Sequence, residues 1–350
     1  MIKISKLVRR ILDDNQGRDV PVLRKIYEIG YLYIARGFGP GYYFDAGLSR
    51  RNATMSFKKG FYGHKLYEKR VAELNDPRYN KLPQNKLPEA ALFKLLGIPA
   101  PRTFGHLCSK KGLDMHGLPL RTGADLERLL ANEPVERFCA KETEGWNGRG
   151  FVAADVVREG GKPMLRLLGS DELVTCDVFV ERYAQYAPHG NRILQEFIEQ
   201  HPVMHALNAS SVNTIRMMVY QPETGEARAF GAFARIGRSG TLVDNVGAGG
   251  MWTVADIRTG RLGPGRRPQV DIDYVVHPDH GAPIEGVMVP FWDEAKEVAC
   301  RTLAAFPHTR FLGVDVAFTA RGPVIIEVNN KPDYIDFAIL EIPSEMALND

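Results

Sequence analysis

The stretch from Phe311 to Asn330, FLGVDVAFTARGPVIIEVNN, decides the reading of this chain because it sets acids where a sheet would not want them. Two runs rich in Val, Ile and Phe flank Ala320-Arg321-Gly322, the pattern of a β-hairpin with a short glycine-containing turn. Pairing Thr319 with Pro323 would set Phe318 opposite Val324, Val316 opposite Ile326 and Asp315 opposite Glu327. Side chains alternate along a strand, so Val314, Val316, Phe318, Val324, Ile326 and Val328 would share an apolar face. Asp315, Glu327 and Asn329 would share the other. Like charges directly across a ladder destabilise it, and an unpaired buried carboxylate is costly. A divalent cation would resolve the conflict, and an all-oxygen donor set suits Mg²⁺ or Mn²⁺ better than zinc. The competing reading is a solvated outer face with an incidental acid pair.

A chain of 350 residues can bury a substantial core, and its length favours two or three subdomains. It contains no apolar run long enough to span a bilayer. The start, MIKISKLVRR, is basic but lacks the apolar stretch of a secretory leader. Cys108, Cys139, Cys176 and Cys300 are scattered, with neither CxxC nor a dense framework, so reduced thiols in a cytoplasmic protein are expected. His201 and His205 are four apart, but Pro202 speaks against a regular helix through them. His277 and His280 flank Pro278 and read as surface residues. No GxSxG or Ser, Cys or His triad pattern is evident.

The net charge of +3 hides an asymmetry: Met1 to Lys86 carries 18 Lys/Arg against 8 Asp/Glu. This quarter of the chain is also aromatic-rich, with Tyr27, Tyr31, Tyr33, Phe38, Tyr42, Tyr43, Phe44, Phe57, Phe61, Tyr62 and Tyr67. Such a region could hold an anionic polymer, nucleic acid or a membrane surface, or, the favoured reading, could be a helical cap packing its aromatics on the main body. It bears no recognised nucleic-acid motif, so a nucleic-acid partner is not expected; the oligomeric state is left open.

Ile2 to Leu12, Val22 to Arg36, Phe57 to Leu74, Leu87 to Leu96 and Thr122 to Ala131 read as helices, with Gly37 and Gly97 as stops and Thr122 as a cap. From Phe138 onward short strands take over: Phe138 to Glu142, Gly150 to Val157, Met164 to Leu168, Arg192 to Ile198, Asn213 to Val219 and Ala227 to Ile236. Pro290 to Phe306 is the clearest late helix.

Lys141 ends the first of these strands and opens KETEGWNGRG, residues 141–150. Glycines let backbone N–H groups approach phosphate oxygens and the lysine adds charge, although the stretch is neither a Walker loop nor a Rossmann fingerprint. Gln195-Glu196-Phe197-Ile198-Glu199 runs from a strand into a polar turn. Arg216 and Arg235 lie inside apolar strands, where a guanidinium needs an anionic partner. A second glycine-rich loop, Asp244-Asn245-Val246-Gly247-Ala248-Gly249-Gly250, follows Arg235.

Taken in order, these motifs and the closing Asp-x₁₁-Glu-x-Asn resemble an ATP-grasp domain. Upstream, LPQNKLPEAALFKLLGIPAPRT is similar to the segment that opens that fold's nucleotide-binding half. The resemblance covers Asn85 to Pro332. With its basic helical start the chain further resembles the ATP-grasp family associated with sugar transfer and surface-polysaccharide gene clusters.

The resemblance implies an α+β fold in which two α+β subdomains clasp a nucleotide. Residues 85–200 would form the first with its glycine-rich lid and residues 201–350 the second with the metal and phosphate site, behind a helical, basic region at residues 1–84. Lys141 and Lys86 would contact the α- and β-phosphates, with Gly145, Gly148 and Gly150 in the mobile lid. Gln195, Glu196, Phe197 and Ile198 would be the adenine hinge and Glu199 a ribose partner. Arg216 and Arg235 would bind the γ-phosphate, Asn245 with Gly249 and Gly250 would line the acceptor site, and Asp315, Glu327 and Asn329 would hold Mg²⁺ or Mn²⁺. Lys331 and Asp333 stand where many relatives carry smaller residues. The implied activity is an ADP-forming carboxylate–amine ligase that uses ATP, an acid and an amine, sugar-linked substrates included. The alternatives are a phosphotransferase acting on a hydroxyl and a nucleotide-binding accessory protein of glycan assembly.

Overall fold

Short alternating segments pair here into two antiparallel sheets of seven strands each. The structure is a computed structural model. It describes residues 4–349 except 13, 15, 16, 18, 146, 147, 149, 160, 186–190, 245, 246, 248, 268 and 269. The first sheet is built from β1 (Thr103–Leu107), β2 (Leu113–Asp114), β3 (Arg137–Glu142), β4 (Val152–Glu159), β5 (Lys162–Leu167), β6 (Leu173–Thr175) and β7 (Arg192–Glu196), in the order β2-β1-β7-β3-β4-β5-β6. The second contains β8 (Thr214–Tyr220), β9 (Arg228–Ile236), β10 (Met251–Ala255), β11 (Gly265–Arg267), β12 (Val270–Tyr274), β13 (Phe311–Thr319) and β14 (Gly322–Asn329), in the order β12-β11-β10-β9-β8-β13-β14.

The β13–β14 hairpin turns one residue earlier than expected. Thr319 pairs with Gly322, Phe318 with Pro323 and Val316 with Ile325, so the turn is the two residues Ala320-Arg321. A bulge between Asp315 and Val316 absorbs the difference, and Asp315 still lies opposite Glu327. The extra residue is Ile326. As a result Ile325, not Val324 and Ile326, joins Val314, Val316, Phe318 and Val328 in the core, and Ile326 and Glu327 both line the cleft.

Alternation along β8 separates two environments. Ile215, Met217 and Val219 face a core closed by the helix Trp292–Ala304. Met218 and Tyr220 face the other way, into a second core with Phe233 and Phe311. That second core is completed by the amino-terminal helices: Phe38, Tyr42, Tyr43, Phe44, Phe61 and Tyr67 are all buried in it. Each such side chain stabilises the contact by about 1.5–3 kcal/mol. A third core joins the first sheet to the helices Gly123–Asn132 and Cys176–Tyr183.

The helices Val22–Arg36 and Lys86–Leu96 end as expected, at Gly37 (φ +78°) and Gly97 (φ +63°). Thr122 caps the helix Gly123–Asn132 through a reciprocal bond with Asp125. The expected helix from Phe57 to Leu74 is instead two, Met55–Lys59 and His64–Leu74. Between them the Gly63 N–H donates to Arg36 O at 2.9 Å, and a Cβ at Gly63 would lie 2.3 Å from the Gly37 carbonyl carbon. That backbone approach breaks the helix. Pro202 opens the helix Pro202–Leu207 and leaves His201 outside it as the cap, so no regular helix runs through both His201 and His205. His277 is buried, its Nε2 3.0 Å from Gly237 O, and only His280 is a surface residue.

Candidate active site

The polar face of the second sheet carries a row of side chains set by strand register alone. Phe233, Arg216, Asp315 and Glu327 lie directly opposite one another across β9, β8, β13 and β14, and Thr214 lies opposite Arg235 beside them. Arg216 donates to both carboxylate oxygens of Asp315, Nε at 2.8 Å and Nη2 at 2.9 Å. Arg235 adds a third bond to Asp315 Oδ2 at 2.8 Å and anchors on Thr214 Oγ1 through Nε (3.0 Å) and Nη2 (2.9 Å). Burial pushes the Asp315 carboxyl up, but the two guanidiniums outweigh that and hold it below the usual carboxylate range. Arg216 is desolvated yet still raised, chiefly by Asp315 and then Asp336.

This row opens onto a cleft of about 900 Å³ between the two sheets. From the first sheet come Lys141 on β3, Gly145 and Gly148 of the glycine-rich loop, and Glu196, Phe197 and Ile198. From the second come Arg216, Arg235, Glu327 and Asn329. Lys86, at the start of its helix, spans the two: its Nζ donates to Gly145 O at 2.9 Å and to Glu327 Oε1 at 3.0 Å. Gly148 and Gly150 have φ of +67° and +63°, conformations that favour glycine, and a Cβ at Gly148 would come 2.7 Å from Val243 Cγ1. The loop therefore lies against the second glycine-rich loop across the cleft.

Other expected residues are placed differently. Gln195 is buried with its amide on Thr103 Oγ1 (3.3 Å), and Glu199 is exposed; neither lines the cleft. Gly150 accepts from Arg192 at the loop's base. Asn245 lies outside the described residues. Gly247 of the same loop lines the cleft, whereas Gly249 and Gly250 do not. Asn329 Nδ2 sits 3.5 Å from Asp315 Oδ2, at the margin of a hydrogen bond.

Three carboxylates and an aromatic group belong to the site without having been read from the sequence as such. Asp336 is buried beneath Arg216 Nη1 (3.4 Å), and burial raises its carboxyl to about 6 despite that arginine. Asp244 is 3.6 Å from Arg235 Nε and accepts from Thr214 N at 3.1 Å; burial raises it against the pull of Arg235. Glu89 is buried one helical turn after Lys86, accepts from Val328 N at 3.1 Å, and burial lifts it well above the usual range. Tyr334 stacks on Tyr42 with ring centroids 5.2 Å apart and lines the far end of the cleft with His64, Tyr67 and Glu68. Lys331, which pairs with Glu68, and Asp333 also line that end.

Carboxylate and amide oxygens suit a hard divalent cation; Glu327 and Asn329 line the cleft, whereas Asp315 does not line it and lies on the same sheet face bonded to the two arginines. In the structure Asp315 is already neutralised by two arginines and Glu327 by Lys86, so the like-charge conflict of the hairpin is met by cations of the chain itself.

A lysine strand and glycine loop on one antiparallel sheet, facing arginines and acids on another across a nucleotide-sized cleft, define an ATP-grasp protein. Residues 66–349 match the model of the sugar-transfer associated ATP-grasp family, and the chain belongs to that family. No curated protein is similar to it at the level of sequence. Among solved structures it is similar to the ADP complex of an N5-carboxyaminoimidazole ribonucleotide synthetase (14% identity, TM-score 0.40, covering 75% of this chain and 53% of that one). It is similar also to the D-alanine–D-alanine ligase of Bacillus anthracis (12%, TM-score 0.35, 72% and 57%) and to a D-cycloserine synthetase (14%, TM-score 0.40, 77% and 71%). The match thus spans little more than half the length of the first two structures. At these values the family match carries the assignment, and the structural likenesses add no argument.

Proposed function

We propose that the chain is an ADP-forming carboxylate–amine ligase. The observation that carries the reading is the row Arg216–Asp315–Glu327 with Arg235 beside it, facing Lys141 and the glycine-rich loop across one cleft. ATP would lie with its base against Glu196–Ile198 and its phosphates toward Lys141, Lys86 and the two arginines. Glu327, Asn329 and Asp315 would hold Mg²⁺, which neutralises phosphate charge when bound.

An acid substrate's carboxylate oxygen attacks the γ-phosphorus, and the bond to the β-phosphate oxygen breaks to release ADP. Arg235 and Arg216 stabilise charge on the transferring group. An amine then attacks the acyl carbon, phosphate departs with the bonding electrons, and the nitrogen loses a proton to leave an amide. No side-chain nucleophile is required; positioning supplies the rate. The glycine-rich loop over the cleft keeps water from the acyl phosphate. Tyr334, Lys331, Asp333 and His64 at the far end would meet the acid and amine, and the family's association with sugar transfer supports sugar-linked substrates there.

The test is ADP release by the purified chain with Mg²⁺-ATP against a panel of uronic, amino and hydroxy acids, with hydroxylamine present. ADP release that depends on an acid and accumulates a hydroxamate supports a ligase. A product retaining phosphate on a hydroxyl, or cleavage to AMP and pyrophosphate, overturns it.

A further inference from the structure

The helix Val22–Arg36 is inside out. Its buried residues are Lys25, Glu28 and Leu32, whereas Leu23 (82% exposed), Ile26, Tyr27, Tyr33 and Ile34 (87%) face solvent. Positions 23, 26, 27, 30 and 34 form one stripe at helical spacing, which in an ordinary helix would be the buried one. Its roll is fixed by the charges beneath it. Lys25 Nζ pairs with Asp14 Oδ2 at 2.7 Å; Glu28 accepts from Arg24 Nε at 2.9 Å and from the Tyr43 hydroxyl, and pairs with buried Lys58. Rolling the helix to bury the stripe would strand those ions, so the apolar face is built to point outward.

The surroundings of the stripe are cationic. Lys59 Nζ lies 4.9 Å from the centre of the Tyr31 ring, which stacks on Tyr27. Arg24, on the helix itself, is partly exposed. The preceding helix, Ile4–Leu12, adds exposed Val8 and Leu12, with Arg9 in its last turn; Arg10 beside it is paired with Asp45 and lines the cleft. Of the nearby acids, Glu28 is buried and Asp45 and Glu345 are paired with Arg10 and Arg36; Asp19 is exposed. The first 86 residues carry a surplus of ten positive charges.

We infer that this face docks on an anionic phospholipid surface, the helix lying in the headgroup layer with Leu23, Ile26, Tyr27, Tyr33 and Ile34 inserted. Aliphatic side chains reach the acyl boundary, tyrosines suit the headgroup level, and flanking Lys and Arg meet lipid phosphates. None of the described helices is long and apolar enough to cross a membrane, so the chain would lie on the surface. A second copy is the weaker occupant, because an isologous contact would bring two basic rims together. Nucleic acid is weaker still, since Leu23, Ile26 and Ile34 put aliphatic carbon between the tyrosines, where a nucleic acid would bring phosphates and sugars. The same helical region lines the far end of the cleft through His64, Tyr67 and Glu68.

Co-sedimentation of the full chain with phosphatidylcholine vesicles, with and without phosphatidylglycerol, tests the inference. Binding is expected to the mixed vesicles and to be weak on phosphatidylcholine alone. The variant Leu23→Gln/Ile26→Gln/Ile34→Gln, at exposed positions, should keep the melting temperature and lose partitioning by about tenfold or more. Absence of wild-type binding to the mixed vesicles, or equal binding by the variant, overturns it. So does a concentration-dependent dimer that the same three substitutions abolish, since the face would then be covered by a second copy.

Discussion

Arg216 and Asp315 lie directly opposite each other on neighbouring strands and form a two-pronged pair, 2.8 Å and 2.9 Å, at the base of the cleft. Arg235 completes a buried cluster of two guanidiniums on one carboxylate. The next residue in the row, Glu327, is half-buried and pairs with Lys86 instead. The two acids of the hairpin thus have different standing in the folded state.

That difference separates two variants. Asp315→Asn leaves Arg216 and Arg235 sharing a site without their common counter-ion, and breaking a buried pair of this kind costs about 3–5 kcal/mol. Glu327→Gln removes a contact nearer to solvent and should cost about 1 kcal/mol or less. Both should lower ATP turnover by about 100-fold or more, because each removes charge from the phosphate and cation site. Urea titrations with ADP-release assays check this; equal stability losses would contradict the assigned geometry, and near-normal turnover in both would remove the metal assignment.

How far the sequence announced this site follows from which contacts are local. The acids and arginines were legible because period-two alternation places Arg216, Asp315 and Glu327 on polar faces of apolar strands. The bulge at Ile326 was not, since the apolar run Val324-Ile325-Ile326 carries no mark of which residue is extra; only packing against the helix Trp292–Ala304 chooses Ile325. Asp336 sits in a short helix that periodicity could not distinguish from the preceding turn, and its role depends on Arg216 arriving from a strand 120 residues earlier. The outward apolar face of Val22–Arg36 was hidden for the opposite reason: its pattern reads as an ordinary amphipathic helix, and only the ion pairs of Lys25 and Glu28 reveal which side is in.

Nucleotide should bind without the second substrate. A non-hydrolysable ATP analogue with Mg²⁺ at 100 times its Kd would stabilise the native state by about 2.7 kcal/mol through mass action. Differential scanning fluorimetry should show a melting temperature several degrees higher. Lys141→Ala, on β3 in the cleft, should abolish that shift. A folded wild type whose melting point is unmoved by millimolar analogue with Mg²⁺ would rule out nucleotide binding in this cleft.

Gly148 is a steric gauge of the closed loop. Its φ of +67° disfavours a side chain, and an added Cβ would meet Val243 at 2.7 Å. Gly148→Ala should therefore cost about 1–2 kcal/mol and raise the KM for ATP, because the loop can no longer settle across the cleft. Val243→Ala should restore part of the KM effect while leaving the backbone cost in place. A double-mutant cycle in which the two substitutions are purely additive would show that the loops do not meet in solution.

Asp336 makes stability depend on pH in a direction opposite to that of an ordinary ion-paired carboxylate. Burial raises its carboxyl from 3.8 to about 6, with Arg216 pulling down and Asp333 and Asp315 pushing up. Between these values the native state binds a proton that the unfolded chain has lost. Its contribution is therefore fully present below pH 4, falls as pH rises through 6, and is absent above. The shift of about two units corresponds to roughly 3 kcal/mol. Asp336→Asn carries no such proton and keeps a side chain of the same shape beneath Arg216, which retains its bond to Asp315. The stability of the variant relative to wild type should accordingly improve by roughly 3 kcal/mol between pH 4 and pH 7. Urea unfolding of both proteins across that range measures the difference directly. A difference that stays constant with pH would mean that Asp336 is ionised throughout, and that the acid beneath Arg216 is held as a fixed counter-ion.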